Sequence, residues 1–518
     1  MSTPPAAEEG PTTGDPGAAS PHPRRWLILG VLCLSLLVVV IDNTVLNVAI
    51  PSLIRDLHAS SADIQWILDA YVLVLAGLLL TAGALSDRYG RRTGLVIGLA
   101  LFGGASIPAA FSGSPGQLIA CRALMGAGAA FLMPGTLSIL TTVFDDQERK
   151  KAIAIWSSVL MLGALGGPIV GGLLLDHFWW GSVFLLNVPI AVLGIIASLL
   201  LIPESRGPAG RPDLLGALLS TVGMTALVWG VIGSAKDGWS SAQTIGGFVV
   251  AVVALIAFAV WQRVSRTPML PLALFHNRDF SGAGLSVVLL SFSSGGLMLA
   301  LTQFLQFVLG YSPMRAGIAF VPLLVTVIVF NGVGVAVDKR FGARATLATG
   351  LVLLAVGFGL LSLLSPGDGY GTLVIALVVM GAGSGTAGPA AYATLLGALP
   401  KDRAGVGSAV NDTVSQIGQA LSIAVLGSVL TAAYGANMPD SVTGPARHSI
   451  GEALAIAAAQ GDSALASAAK GAFVDAMTTV SAVGVVGGLA AAVVAVLMLR
   501  ARPKRPASTP ATPEPSRR

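Results

Sequence analysis

Apolar runs of about twenty residues recur along the chain, and short polar segments rich in Gly, Pro or Arg separate them. A helix of that length crosses ~30 Å of hydrocarbon. The runs predict spans at 26–50, 64–85, 94–111, 117–143, 152–175, 183–202, 214–233, 245–263, 281–309, 316–337, 344–365, 371–399, 407–434 and 472–499. No polar stretch between them is long enough to build a separate soluble core. The pattern predicts an all-α membrane protein with fourteen transmembrane helices. An even count puts both termini on one side of the bilayer.

Charge assigns that side. Of the 30 Lys and Arg residues, only Arg55, Lys236, Arg315, Arg447 and Lys470 fall in segments opposite the termini, and Arg122 lies inside a span. The rest collect on the side of the termini. Basic residues gather in cytoplasmic loops, so both ends are expected in the cytoplasm of a bacterial inner membrane. One misplaced span would invert every later loop and spoil this asymmetry. Composition adds the exclusions. Only 11% of residues are charged, with a mean hydropathy of +0.81, against roughly 25% charged in soluble proteins. The net charge of +5 is topogenic. No basic stripe lies on a soluble module, so no nucleic-acid partner is expected. Residues 1–25 and 501–518 read as disordered cytoplasmic tails. The first is no cleavable signal, because the apolar segment after it is too long and lacks a small-residue cleavage site. Cys33 and Cys121 lie in apolar spans and read as small core residues. His22, His58, His177, His276 and His448 lie in tails or loops, so no buried histidine relay is available.

The stretch Pro203 to Asp213 reads as a linker. It divides the chain into an N-terminal six-helix bundle (26–203), a linker with two inserted helices (204–265), and a C-terminal six-helix bundle (266–500) with a long external loop at 435–471. The bundles echo one another. Gly83-Ala84-Leu85-Ser86-Asp87-Arg88-Tyr89-Gly90-Arg91-Arg92 follows span 2, and Gly334 to Arg344, with Asp338, Lys339, Phe341 and Gly342, follows span 10. Paired six-span halves are the architecture of alternating-access carriers.

These motifs resemble the major facilitator superfamily over nearly the whole chain. The Gly83–Arg92 loop is similar to that superfamily's signature between spans 2 and 3. The resemblance implies a conformational gate built from Gly83, Asp87, Arg88, Gly90 and Arg91, with Arg88 and Arg91 placed to pair across the two halves. Span 5 carries Gly163, Gly167, Pro168, Gly171 and Gly172, which resemble the antiporter motif of the superfamily's exporters. Gly at this spacing lets helix backbones approach, and Pro168 removes a ladder hydrogen bond. Span 1 (Ile41 to Pro51), span 4 (Cys121 to Pro134) and the Trp180 to Pro189 stretch resemble the fourteen-span drug:proton antiporters. In that branch the span-4 Arg is linked to proton transfer.

Only three acids lie well inside spans: Asp42, Asp69 and Asp412. A charged side chain at mid-bilayer costs at least ~2.5–3.5 kcal/mol. Low dielectric disfavours the ionised form of a carboxyl, so such a group can exchange a proton near neutral pH. Asp42 lies about 24 Å from the start of span 1 at 1.5 Å per residue. Arg122 opens span 4 from the other side, so the two can pair in the outer half. Arg122 is expected to tune the protonation of Asp42; the alternative is a permanent ion pair that only orders the bundle. Asp69 and Asp412 resemble acids of the family members that export cationic dyes and quaternary ammonium compounds. They are candidate anchors for a lipophilic cation, with Trp66 and Tyr71 adding cation–π attraction or forming an interfacial belt. By depth alone, Asp412 is equally a solvated loop-proximal carboxylate. Gln303, Gln306 and Asn331 are further polar groups for a cavity or for interhelical hydrogen bonds.

The expectation is a proton-coupled antiporter that exports drugs, antibiotics or lipophilic cations. The alternative is an exporter of an endogenous metabolite on the same fold. No metal-ligand His cluster, phosphate loop or Ser-His-Asp set lies in the spans, so no enzyme is expected. Pore loops and ion-coordinating rings, the marks of a channel, are absent from the sequence. No cofactor is expected; the proton motive force supplies the energy. The partners are a small substrate, protons and the lipid bilayer, with the chain acting as a monomer.

Overall fold

Ser, Asp and Asn side chains start many of the helices, which is why short polar segments suffice to separate long apolar ones. Ser60 and Asp63 form a reciprocal capping box, while Ser114, Asp145, Asp213, Ser241, Asn277, Ser312 and Asp462 each accept from a backbone N–H in the first turn that follows. The computed structural model describes residues 23–499 apart from 208–212, 267, 269–273, 275, 294, 366–368 and 398–403. Residues 1–22 and 501–518 of the expected tails lie outside the described residues.

Among the described residues, fourteen helical spans are long and apolar enough to cross a membrane. The N-terminal half holds α1 (Arg25–Leu57), α2 (Ser61–Tyr89), α3 (Arg91–Ala110), α4 (Pro115–Val143), α5 (Asp146–His177), the short α6 (Ser182–Leu185) and α7 (Asn187–Leu201). Two inserted helices follow, α8 (Leu214–Asp237) and α9 (Ala242–Val264). The C-terminal half begins with α10 (Arg278–Phe292) and α11 (Gly295–Gln303), whose last turn widens into a π-helix at Phe304–Val308. It continues with α12 (Pro313–Ala319), α13 (Val321–Phe341), α14 (Ala343–Leu361), α15 (Tyr370–Gly397), α16 (Ala404–Asn437), α17 (Ile450–Gln460) and α18 (Ser463–Met498).

Two boundaries differ from expectation. Helix α1 runs through Pro51 to Leu57, beyond the apolar run. The expected 435–471 loop is largely helical: it holds α17 and the first turns of α18. Ala-rich, weakly apolar helices of this kind do not stand out by hydropathy, although Ala favours the helix.

Helices α2, α3 and α4 pack together in the first half, and α1 packs on α5; in the second half α14 packs on α15 and α18. The inserted pair is held mainly through α8, which touches α2 and α16. Its partner α9 leaves Ile245, Val249, Val252, Val253, Ile256 and Val260 exposed. In water such a face would be an association site; here it meets lipid.

One end of the bundle carries the basic loops and is called the basic end. At the opposite end the halves are in close contact. A Cβ at Gly172 would collide with the Met314 backbone, and one at Gly317 with the Pro168 carbonyl, so α5 and α12 meet at backbone distance. Gln306 donates across to the Val48 carbonyl at 2.9 Å, and Ser61 to the His448 carbonyl at 2.8 Å. The halves are thus joined at the end opposite the basic loops.

Candidate functional site

The buried polar centre of the N-terminal half is built by five helices, α1, α2, α3, α4 and α7. Arg122 on α4 has no exposed surface, and Asp42 on α1 is 4% exposed. Arg122 Nη1 donates to Asp42 Oδ2 at 2.5 Å, and its Nε donates to the Ile67 carbonyl of α2 at 3.2 Å. The guanidinium lies 4.2 Å from the centre of the Tyr71 ring. Asn187, the first residue of α7, donates from Nδ2 to Asp42 Oδ1 at 2.8 Å and to Ser106 Oγ of α3 at 3.2 Å. Both carboxylate oxygens of Asp42 are therefore held by donors. Around this pair, Arg122 Nη2, Asn187 Oδ1 and the Tyr71 hydroxyl are buried without a hydrogen-bond partner. Bare polar atoms at that depth are costly, since an unmet buried donor or acceptor loses about 1–3 kcal/mol. They give the site unused capacity for a differently protonated arrangement.

The expected Asp42–Arg122 meeting is present. Asn187 is the partner that reading the sequence missed. It lies in the Trp180 to Pro189 stretch noted as family-like, but its target is 145 residues away in the chain. No local pattern reports such a contact.

The neighbouring face of α1 opens into the seam between the halves. Asn43, Thr44 and Asn47 line a central cavity of about 130 Å³ with Leu68 and Val72 of α2 and Gln419 of α16. Residues 412, 416, 419 and 423 fall on one stripe of α16. Asp412 therefore lies on the cavity-facing side, two turns nearer the basic end; its Oδ1 accepts from Asn411 Nδ2 at 3.2 Å. Asp69 is elsewhere. It lies one turn from Gln65, whose Oε1 accepts from Ser428 Oγ of α16, and one turn from Leu73, which lines a second cavity with residues of α8 and α16. Unlike its neighbours Leu68 and Val72, Asp69 does not line the central cavity. Gln306 is used in the contact between halves, and Gln303 lines a small crevice near Ser61 and His448. Asn331 is half-buried on α13.

At the basic end, Asp87 Oδ1 accepts from Arg91 Nε at 2.7 Å, and Arg91 Nη1 reaches the Ser138 carbonyl at 3.3 Å. Arg88 is exposed over the Tyr89 ring. The expected cross-half pairing of Arg91 is replaced by a bond within its own half, because the halves are joined at the other end. Gly90 turns the chain at a φ of 134°, open to Gly and strained for other residues. Gly83 sits one turn before Asp87, 3.5 Å from Pro134 at the point where a Cβ would lie.

The loop is strapped by the linker. Arg91 N donates to the Ser205 carbonyl, and Gly207 N to the Asp87 carbonyl, both at 2.9 Å. Glu204 covers the start of α3, accepting from Arg92 N at 3.0 Å, Thr93 N at 3.2 Å and Thr93 Oγ1 at 2.6 Å. Burial works to raise the Glu204 pKa, but the Thr93 hydroxyl and the Arg92, Ser205 and Thr93 amides outweigh it and hold the carboxyl below the usual glutamate range. Glu204 lies in the Pro203 to Asp213 stretch that the sequence marks only as a linker. The antiporter-motif residues take two roles: Gly163, Gly167 and Gly171 lie against α1, while Pro168 and Gly172 meet α12.

Comparison with known proteins agrees with this architecture. The family described as Major Facilitator Superfamily matches residues 32–423. The multidrug efflux pump LfrA of Mycolicibacterium smegmatis is 39% identical over 86% of this chain and 90% of its own length. The tetracenomycin C resistance and export protein of Streptomyces glaucescens is 33% identical over 80% and 78%. The methyl viologen resistance protein SmvA of Salmonella typhimurium is 32% identical over 80% and 84%. Among solved structures, an inward-facing, unoccupied bacterial homologue of the lysosomal transporter Spinster superposes with a TM-score of 0.66 at 19% identity. It covers 92% of this chain and 98% of that one.

Proposed function

Because the chain belongs to the Major Facilitator Superfamily, we propose that it is a proton-coupled antiporter exporting drugs, antibiotics or lipophilic cations across a bacterial cell membrane, with both termini cytoplasmic. The chain is a membrane transporter and not an enzyme. The observation that carries the reading is the buried Asp42–Arg122–Asn187 centre beside a polar cavity, in a chain whose relatives are named for drug efflux and resistance.

Asp42 is held as a carboxylate, with Arg122 on one oxygen and Asn187 on the other. A proton arriving from outside removes the charge that binds α1 to α4 and α7. Asn43, one residue further along α1, already faces the cargo cavity. Neutralising Asp42 therefore alters the packing of the same helix that contacts substrate. The Asp87–Arg91 loop, strapped by Glu204, is the gate at the cytoplasmic end. Asp412 supplies negative charge toward the central cavity, which attracts a cation until the carboxylates are neutralised. The cavity is smaller than the ~300–1,000 Å³ of drug-sized pockets, so cargo enters as the halves move apart.

The test is dye efflux from energised cells expressing the protein. A protonophore should collapse it, and Asp42→Asn should abolish it while the protein still reaches the membrane. Full protonophore-sensitive efflux by that variant would remove Asp42 from the proton path.

A further inference from the structure

Among the described residues, the Asp42 carboxylate has two side-chain partners, and they differ in kind. Arg122 is a guanidinium with N–H donors and no acceptor, and it keeps its charge at any pH a cell meets. Asn187 has both functions, because its Nδ2 donates and its Oδ1 accepts. Only the first is in use, toward Asp42 Oδ1 at 2.8 Å and Ser106 Oγ at 3.2 Å. Asn187 Oδ1 is buried without a partner, on a residue with no exposed surface. The unused half of the amide is therefore an acceptor that bulk water does not reach. Ser106 on α3 is two-sided as well. Its hydroxyl accepts from Asn187 and donates to the Phe102 carbonyl at 2.8 Å.

This arrangement suits an ionised Asp42 alone. An added proton goes to Oδ1, because Oδ2 stays against the guanidinium. The hydroxyl so formed faces the Asn187 amino group, a donor against a donor. Exchanging the two ends of the amide removes the conflict. It takes a half-turn about the Cβ–Cγ bond, a torsion with broad, roughly two-fold minima. The amide oxygen then lies where the nitrogen lay. It accepts from Asp42 and, once the hydroxyl turns, from Ser106. The Phe102 carbonyl keeps its helical bond within α3. One amide atom lacks a partner in either orientation, so the exchange strands no additional group.

Few titratable groups surround the contact. α7 packs on α1, α3 and α6. Residues 28–54 of α1 hold only Cys33 and Asp42, while residues 93–110 of α3, all of α6 and all of α7 hold none. Residues 152–175 of α5, which also packs on α1, hold none. Over the same depth α4 carries Cys121 and Arg122, and α2 carries Asp69 and Tyr71. Of these, Arg122 touches the carboxylate and Tyr71 lies against the guanidinium.

We propose that Asn187 is the positioning residue that reads the proton on Asp42, its amide reversing from donor to the carboxylate to acceptor from the acid. The proton comes from a hydronium ion, which leaves as water. One O–H bond forms on Asp42, Arg122 keeps its charge, and every other change is in hydrogen bonding. Bonds to an ionised group are about twice as strong as neutral ones, so protonation weakens the tie of α1 to α7 and α3 without cutting it. A residue able only to donate would hold Asp42 ionised. The inference rests on the reading of Asp42 as the proton site.

The test is infrared difference spectroscopy of the purified full-length protein in phosphatidylcholine nanodiscs, before and after acidification, with asparagine carbon-labelled at the side-chain carbonyl. Protonated Asp42 should appear as a carboxylic C=O band that Asp42→Asn abolishes in unlabelled protein. With it, one labelled asparagine carbonyl should shift to lower frequency, as a carbonyl does on accepting a hydrogen bond. Asn187→Gln carries no label at that position and should lose the shift while keeping the Asp42 band; Asn187→Ser serves should the first variant not fold. A labelled carbonyl that stays put while the Asp42 band rises would overturn the switch and leave the proton site standing. So would a shift that persists in Asn187→Gln, since it would belong to another asparagine, such as Asn43. Absence of the Asp42 band at every pH the folded protein survives would overturn the proton reading and the switch together.

Discussion

Cutting the Asp42–Arg122 pair from either side should be far more damaging than removing it whole. Arg122→Leu strands a carboxylate at 4% exposure with only Asn187 to hold it. Breaking a buried pair by deleting one partner costs about 3–5 kcal/mol. Loss of the Ile67 carbonyl bond and the Tyr71 ring contact adds about 1–3 kcal/mol. Asp42→Asn strands the guanidinium instead, but keeps an amide that can accept from it and so loses less. In the double variant no uncompensated charge is left, and replacing both members of a buried pair is often close to neutral. A double-mutant cycle should thus return an interaction of at least about 3–5 kcal/mol, because the Ile67 and Tyr71 losses are common to Arg122→Leu and the double variant and cancel. Thermal unfolding of the purified protein reads the stability side, and protonophore-sensitive dye efflux reads the transport side. The double variant should regain most of the melting temperature lost by Arg122→Leu, short of the share due to the Ile67 and Tyr71 contacts, and remain unable to pump. A double variant that pumps like the parent would reduce the pair to bundle ordering. An Arg122→Leu variant that melts like the parent would show that the contact holds nothing together.

Further outcomes follow from the other contacts. Asn187→Leu should lower stability by about 1.5–3 kcal/mol, the value of a hydrogen bond to a charged group, with Asn187→Gln recovering part of it in the same melting assay. Glu204→Gln should cost about 0.5–2 kcal/mol by weakening the cover of α3. Because the Glu204 pKa is lowered in the folded protein, its ionised contribution is complete above the ordinary value of 4.5 and is lost as pH falls through the native value. The melting difference between parent and Glu204→Gln should hold from pH 8 to 5.5 and shrink below 4.5; a difference that grows on acidification would refute the assignment. Gly172→Val should prevent α5 from closing on Met314, leaving protein at the membrane that exposes a cysteine placed in the central cavity to external thiol reagents. Asp412→Asn should harm efflux of dications more than of neutral compounds, and equal loss in both classes would contradict its place beside the cargo.

The fourteen spans and their order were legible because a membrane span announces itself by length and apolarity, and loop charge then tests the count. The buried centre was half legible. Asp42 and Arg122 stood out as charges in apolar runs, whereas Asn187 is an unremarkable amide in a helix start until α7 is folded against α1. Glu204 was hidden for a related reason: its ligands are backbone amides of α3, which no side-chain pattern advertises. Asp69 and Asp412 were paired by chemistry, and only helical register separates them, because one residue of rotation on α2 moves a side chain by 100°. The helices at 450–460 and 463–471 were read as loop because Ala and Gly carry little hydropathy, although Gly461, with a φ of 66°, ends the first and Asp462 starts the second.

The two ends of this transporter are fitted with different materials. Opposite the basic loops, where the halves meet, glycine lets one backbone rest on another, as where Gly172 meets Met314 and Gly317 meets Pro168. Such apposition has no charge to titrate or screen, so it shuts equally well in acid, brine or fresh water. At the basic end the fittings are ionic and lie within the N-terminal half and its linker, Asp87 with Arg91 and Glu204 with Arg92, and surface pairs of that sort weaken with salt. In the orientation proposed above, with the basic end in the cytoplasm, the salt-tolerant closure is the one that meets surroundings whose ionic strength the cell does not regulate.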